Sequence, residues 1–395
     1  MKQTKALYAG SFDPFTVGHL DIVERALLSY ETVYIGVGCN PNKKTFFSAT
    51  ERVDLIKEIF MFHPKKHRIK VLKYTCSTVD LAMSLDIHVL IRGMRFEDQT
   101  FEETNATANQ LIASTRNYTL YTEILVQNND FLKCVSSSAV KALCDLGEYD
   151  AAYRYVPPIV HHALMERYLY PTFATLFSPE TEEKKVALVW KKLTSALQTE
   201  IYYNLSEIAF RVNMFNIYLA HNRCAEIERY QKEILAAIFL SNIVDRFVAH
   251  KLNITEIDLS DEEYNGYVDT YQKTYLKIFN IVEYKYGRLN FNKDAVINIY
   301  GECNEDGSYE YSQKIFSDLE QLWLGTKDEK FFEQKVALVR SYFSKKYNGN
   351  TYFKQYLCAI RDGEEIYETE FFYNLFEKQA RTNIFKQIMH MHCPV

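Results

Sequence analysis

The fourteen residues from Ala6 to His19, ALYAGSFDPFTVGH, constrain this chain more than any other stretch. Ala6 to Ala9 is a short apolar run closed by Gly10, which reads as a strand buried in a parallel sheet. Leu20 to Leu28 then shows helical spacing. Gly10 is expected to let backbone approach a ligand, and Gly18-His19 to open a helix whose N–H groups and dipole favour an anion. A strand, a glycine-bounded turn and a helix start together predict a phosphate site. The plainer alternative is an ordinary strand–helix turn capped by Asp13 and carrying Pro14.

The following segments supply partners. Thr32 to Gly38 is a second β-rich run, after which come Asn40-Pro-Asn and the lysines Lys43 and Lys44. Ser48 and Glu51 have the spacing of a capping box at a helix start. Ile69 to Tyr74 predicts a third strand, Thr78 to Leu85 a helix, and His88 to Ile91 a fourth strand ending in Arg92-Gly-Met-Arg95. Such alternation predicts an α/β fold, a doubly wound parallel sheet with its site at the strand ends. Val135-Ser-Ser-Ser138 adds hydroxyls at one more helix start. Ser11, His19, Lys43, Arg92, Arg95 and Ser136 to Ser138 should therefore converge on one edge.

At 395 residues the chain exceeds one ordinary core, so two domains are expected. The eight cysteines form no C-x-x-C pair, which argues against both a disulfide framework and a zinc site. The first 170 residues carry 19 basic and 19 acidic side chains, and the remaining 27 basic and 32 acidic residues carry the net charge of −5. That balance offers no nucleic-acid surface. Without a membrane-length apolar run or room for a signal peptide before the first strand, a cytoplasmic protein is expected.

Gly10 to His19, Lys43, Ile91 to Arg95, Ser136 to Ser138 and the closing Val156-Pro-Pro segment resemble the bacterial phosphopantetheine adenylyltransferase family of the nucleotidyltransferase superfamily. The likeness covers roughly residues 4–168. It implies transfer of the adenylyl group of ATP to 4′-phosphopantetheine, giving dephospho-coenzyme A and pyrophosphate, with Mg²⁺ bridging phosphate oxygens and a cytoplasmic hexamer. By that resemblance His19, Lys43 and Arg92 are catalytic. The acceptor is bound by Ser11, Lys43, Thr78 and Arg92, and ATP by Gly10, Ser11, Phe12, His19, Arg95, Glu103 and Ser136, Ser137 and Ser138. Two departures stand out: the segment after Arg95 carries one extra residue, leaving Glu102 and Glu103 as alternatives facing the nucleotide, and the aromatic before the serine triplet is missing. A nicotinamide or sugar-phosphate acceptor is the alternative.

Pro171 to Pro179 is expected to form a linker over 169–180. Beyond it, residues 181–395 read as an all-α domain, with helical periods at 180–197, 202–219, 225–249, 264–286, 329–346 and 370–389. Tyr202 to Ile208, Ala236 to Asn242, Phe316 to Gly325 and Ala380 to Asn383 resemble a family of HD-type metal-dependent hydrolases. Tyr203, Glu207, Leu240 and Ser241 stand where that family has metal ligands, which leaves only Asp318 or Glu320. The resemblance thus implies a degenerate, metal-free and non-catalytic domain serving regulation or assembly. At best Glu207 and Asp318 or Glu320 are expected to meet, a pair suited to hydrogen bonding with Tyr203 or Ser241, and His221 and His250 to be surface or capping residues.

Overall fold

The structure, a computed structural model, describes residues 5–40, 44–94, 99–126, 132, 135–198, 203–222, 224–252, 261–301, 309–325, 332–333, 336 and 366–390. It divides into two compact units, Met1–Tyr168 and Leu169–Val395.

The first unit is built on five parallel strands, β1 (Lys5–Gly10), β2 (Thr32–Gly38), β3 (Ile69–Tyr74), β4 (Val89–Met94) and β5 (Tyr121–Val126), in the order β3-β2-β1-β4-β5. The chain steps outward from β1 to β3 and then returns to the other side of β1. The sheet therefore has its topological switch point between β1 and β4, where open α/β sheets bind ligands. Ala6, Leu7, Val33, Ile35, Val37, Leu90 and Ile91 are wholly buried in the central strands. Each large aliphatic side chain so placed contributes about 1.5–3 kcal/mol. One face of the sheet packs Leu7, Ala9 and Leu90 against Val79, Ala82 and Ala113.

Helices α1 (Val17–Ser29), α2 (Ala49–Ile59), α3 (Thr78–Ser84), α4 (Gln99–Thr115), α5 (Ser137–Asp145), α6 (Tyr149–Tyr153) and α7 (Pro158–Ala174) complete this part of the chain. The Ser48–Glu51 capping box is formed as the sequence predicts. Gly93 is required by packing, because a Cβ there would stand 3.0 Å from Cγ1 of Ile22 on α1. Two expectations need correction. β4 runs on through Arg92 to Met94, so Arg92 sits inside a strand instead of beyond its end. Residues 169–174 are helical, not linker: α7 passes through Pro171, whose neighbours hold the helix despite the missing N–H.

Described helices of the second unit are α8 (Glu183–Gln198), α9 (Tyr203–His221), α10 (Ala225–Arg229), α11 (Gln231–Leu252), α12 (Asp261–Tyr286), α13 (Lys293–Gly301), α14 (Glu310–Gln321) and α15 (Glu370–His390). The single period expected over 225–249 is interrupted at Tyr230, and most of 329–346 lies outside the described residues. Aromatic side chains fill this core: Phe173 lies 4.8 Å from Trp190 and 5.5 Å from Phe239, centroid to centroid. Helix α9 holds the buried pair Glu207 and Arg211, whose guanidinium donates at 2.6 Å to Glu207 and at 3.2 Å to Glu320 on α14. Asp318 accepts from the Thr369 N–H at 2.9 Å and the Glu368 N–H at 2.6 Å. Glu207 takes an arginine one turn away instead of Ser241, whose buried hydroxyl has no hydrogen-bond partner among the described residues, and the Tyr203 side chain lies outside them. His221 is exposed and bonds the Ile217 carbonyl at 2.8 Å, as a helix-end histidine does.

Candidate active site

The turn after β1 is held by buried groups that bond backbone far away in the chain. Asp13, 3% exposed, accepts from the Phe46 N–H at 2.7 Å, the Phe47 N–H at 2.8 Å and the Lys141 ammonium at 3.3 Å. It is therefore not the cap of α1. That cap is Thr16, whose side chain and backbone exchange bonds with His19 in a capping box. Arg52, 2% exposed, donates to the carbonyls of Phe47 at 3.1 Å, Gly38 at 3.2 Å and Ser11. One guanidinium on α2 thereby ties together the loop after β1, the end of β2 and the segment before α2. Sequence reasoning gave Asp13 only a capping role and missed Arg52, whose one signal was a charged side chain within an apolar helical period.

His19 is half-buried at the third position of α1. Its Nδ1 accepts from the Thr16 N–H at 2.9 Å, which fixes the tautomer with the proton on Nε2. The ring packs against Phe12 at 5.1 Å and Phe15 at 5.3 Å. The backbone donors expected at this helix start are already committed, with the Val17 N–H on the Tyr155 carbonyl at 2.9 Å and the His19 N–H on Thr16 Oγ1 at 3.4 Å. The imidazole, rather than the helix end itself, is what α1 offers an anion.

Gly10 and Phe12 act together, differently from the expectation. A Cβ on Gly10 would stand 3.0 Å from the Phe12 ring, so the space beside this glycine is filled by protein and not left for ligand backbone approach. Phe12 adopts φ 51°, a conformation strained for a side-chain-bearing residue, and its ring is 3% exposed. It supports His19 from below.

Register brings Arg92 beside the same turn. Tyr8 pairs with Ile91, and the Arg92 guanidinium donates to the Ala9 carbonyl at 3.4 Å. Beyond β3, the Tyr74 hydroxyl and Thr78 Oγ1 lie 3.0 Å apart. Burial raises the Tyr74 phenol above its ordinary range, opposed by the Thr78 hydroxyl and the Arg92 charge. Tyr74 and Thr78 thus form one wall at the end of β3, on which the Arg92 charge acts, and Tyr74 is a member the sequence did not single out.

Ser136, Ser137 and Ser138 open α5. Ser136 Oγ caps the helix by accepting from the Ala139 N–H at 2.9 Å, Ser137 Oγ donates to the Pro14 carbonyl at 2.7 Å, and Ser138 is exposed. The Ser137 bond places this helix start against the β1–α1 turn. Gly10, Ser11, Phe12, His19, Thr78, Arg92 and the serines are therefore brought to one sheet edge. Lys43 and Arg95 lie outside the described residues, and Glu103 is on α4 with its side chain outside them. Among the described residues no group of three or more His, Cys, Asp or Glu side chains is placed to hold a metal ion.

What this edge can do follows from its donors. Among the described residues, the Arg92 guanidinium, the His19 imidazole and the hydroxyls at the start of α5 come from separate elements to this edge, and donors of these kinds suit a phosphate group. A family model described as cytidylyltransferase-like matches residues 7–143. The phosphopantetheine adenylyltransferase of Bacteroides thetaiotaomicron is 39% identical over 140 residues, spanning 35% of this chain and 87% of that protein. That of Phocaeicola vulgatus is 38% identical over 145 residues, 36% of this chain and 90% of its own length. That of Porphyromonas gingivalis is 39% identical over 148 residues, 37% of this chain and 91% of its own.

Proposed function

Since the chain belongs to the phosphopantetheine adenylyltransferase family, we propose that it transfers the adenylyl group of ATP to 4′-phosphopantetheine, forming dephospho-coenzyme A and pyrophosphate. The observation that carries this reading is the convergence of Ser11, His19, Arg92 and the start of α5 on the switch point between β1 and β4. The acceptor phosphate is already ionised at neutral pH, so its oxygen attacks the α-phosphorus without a general base. The barrier lies in aligning two polyanions.

His19 donates its Nε2 proton as a hydrogen bond to a non-bridging oxygen of the α-phosphate, where negative charge grows in the transition state. Ser11, Lys43 and Arg92 hold the acceptor phosphate, with Thr78 and Tyr74 lining the arm beyond it. Arg95, the serine triplet and Glu102 or Glu103 take the ATP side. Pyrophosphate leaves with the electron pair of the broken bond. Mg²⁺ would enter with ATP, since Asp13, the buried carboxylate of the turn, is committed to Phe46, Phe47 and Lys141, and it would supply neutralisation of phosphate charge.

The same reading extends to a cytoplasmic hexamer built from the first unit and a degenerate HD-like second unit that regulates or assembles. No described helix is long and apolar enough to cross a membrane. The test is pyrophosphate release by the full chain. It should require ATP and 4′-phosphopantetheine together; release with nicotinamide mononucleotide and none with the pantetheine compound would assign a different acceptor.

A further inference from the structure

Two thiols stand at the acceptor end of the sheet with no part in the reaction above. Cys39 follows β2 and Cys76 follows β3, neighbouring parallel strands whose last paired residues are Gly38 and Tyr74. The Cys39 N–H donates to the Tyr74 carbonyl at 2.8 Å, so the ladder continues past β2 and sets Cys39 beside the chain just before Cys76. Both cysteines are free; Cys39 is half-buried and Cys76 exposed. Tyr74, whose carbonyl takes the Cys39 N–H, brings its phenol to 3.0 Å from Thr78, two residues beyond Cys76. The thiols and the acceptor wall are one cluster.

The acceptor class read for this site has a matching chemistry, since 4′-phosphopantetheine ends in a thiol on a long flexible arm. With ATP against the serine triplet on α5 and the acceptor phosphate at Arg92, the arm leaves along the Tyr74–Thr78 wall. We propose that Cys39 and Cys76 form a thiol pair that exchanges disulfides with pantetheine-type ligands docked by the neighbouring phosphate cradle, an inference that rests on the acceptor reading above.

The exposed Cys76 attacks first, as its thiolate. A bond forms between its sulfur and one sulfur of the ligand's disulfide, the ligand's S–S bond breaks, and one pantetheine thiolate leaves and takes up a proton. The Cys39 thiolate then attacks the Cys76 sulfur, forming the Cys39–Cys76 disulfide and releasing the second pantetheine thiol. Two electrons pass from the protein pair to the ligand disulfide, which is the oxidant. The crosslink ties the end of β2 to the segment entering α3 and stiffens the wall that carries Thr78. Tethering by the phosphate supplies the selectivity, because it raises the local concentration of the reacting sulfur.

The full chain, reduced and freed of reductant, is treated at pH 8 with the symmetric disulfide of 4′-phosphopantetheine, and its peptides are mapped by mass spectrometry. The expected result is a Cys39–Cys76 crosslink, formed at least about tenfold faster than with bis(2-hydroxyethyl) disulfide. S-methyl-4′-phosphopantetheine, which keeps the phosphate and lacks the thiol, should slow it. Cys39→Ser and Cys39→Ala should each stop at a mixed disulfide on Cys76. Equal rates with the two disulfides, modification spread equally over Cys224, or adducts on both cysteines without a crosslink would each overturn the proposal. Pyrophosphate release measured on the same preparation separates the two readings: turnover with 4′-phosphopantetheine but no selective crosslink overturns the thiol pair alone, whereas no turnover overturns the acceptor reading beneath it.

Discussion

The Thr16 backbone N–H and His19 Nδ1 are 2.9 Å apart, and this one contact decides which nitrogen of the imidazole carries the proton. A donor already points at Nδ1, so the neutral ring is a hydrogen-bond donor from Nε2. The capping box of α1 therefore serves helix stability and the orientation of a candidate catalytic group at once.

His19→Ala should lower turnover by on the order of 10²-fold while leaving ATP affinity nearly unchanged, because a donor aimed at transition-state charge acts on the barrier. Thr16→Ala keeps the backbone donor and removes only the cap, so it should cost about 1 kcal/mol of stability with a much smaller effect on rate. Steady-state kinetics and nucleotide titration of the two variants check this; near-normal turnover in His19→Ala would remove the role given to the imidazole.

Arg52 predicts a different signature. It is buried and donates to three carbonyls in three segments, so Arg52→Met leaves the carbonyls of Ser11, Gly38 and Phe47 without their donor. The expected loss is about 3 kcal/mol, read from the denaturant midpoint. Because Ser11 and the end of β2 then drift together, KM for both substrates should rise. A variant as stable as the parent would show that these loops are held by other contacts.

The acceptor wall separates binding from chemistry. Arg92→Ala should raise KM for 4′-phosphopantetheine by at least about tenfold, a lost charge-assisted bond, with a smaller change for ATP. Tyr74→Phe removes only the hydroxyl that meets Thr78, so its effect should be a few-fold and confined to the same substrate. An ATP-specific defect in either variant would place this wall on the wrong side of the site.

The central strands were legible because Ala6 to Ala9 and Thr32 to Gly38 are apolar or β-branched runs bounded by turn residues. β5 was not: Tyr121, Ile124 and Val126 are exposed at 59%, 36% and 45% on an edge strand, where burial imposes no clean alternation. α4 was missed because QTFEETNATANQLIAST carries few apolar positions. At the site, the glycines, His19 and the serines showed in local motifs. Asp13 acts on backbone atoms 33 and 34 residues away and Arg52 on carbonyls 5, 14 and 41 residues away, and these roles exist only once the sheet has assembled.

Acid should destabilise the first unit through its adjacent buried histidines. Burial pushes His161 down to about 4, against the opposing bond to the Tyr149 carbonyl, and burial alone pushes His162 down to about 4. Unfolded, both take up protons near 6.5. Between those values the unfolded chain binds more protons, so stability is full above about 6.5, falls as pH drops toward 4, and loses up to about 3 kcal/mol per histidine. Urea midpoints across this window should fall, and His161→Gln combined with His162→Gln should flatten the slope. Parallel slopes would assign the acid sensitivity elsewhere.

In the second unit, Arg211 is expected to be indispensable for stability and to stand in for any metal between Glu207 and Glu320. Side chains of Glu207 and Arg211 are only 4% and 5% exposed, while Glu320 keeps 35%. Two carboxylates converging on a guanidinium are neutralised by a cation tethered to the chain. Arg211→Ala leaves a buried carboxylate without its counter-charge and should cost about 3–5 kcal/mol. Glu207→Gln combined with Arg211→Met removes both charges and should recover a large part of that loss, a coupling measurable by a double-mutant cycle. Metal analysis of the full chain after growth with manganese, iron and zinc should find far less than one ion per chain. A stoichiometric metal lost on changing Glu207 or Glu320, or an Arg211→Ala variant of parental stability, would overturn this account of the second unit.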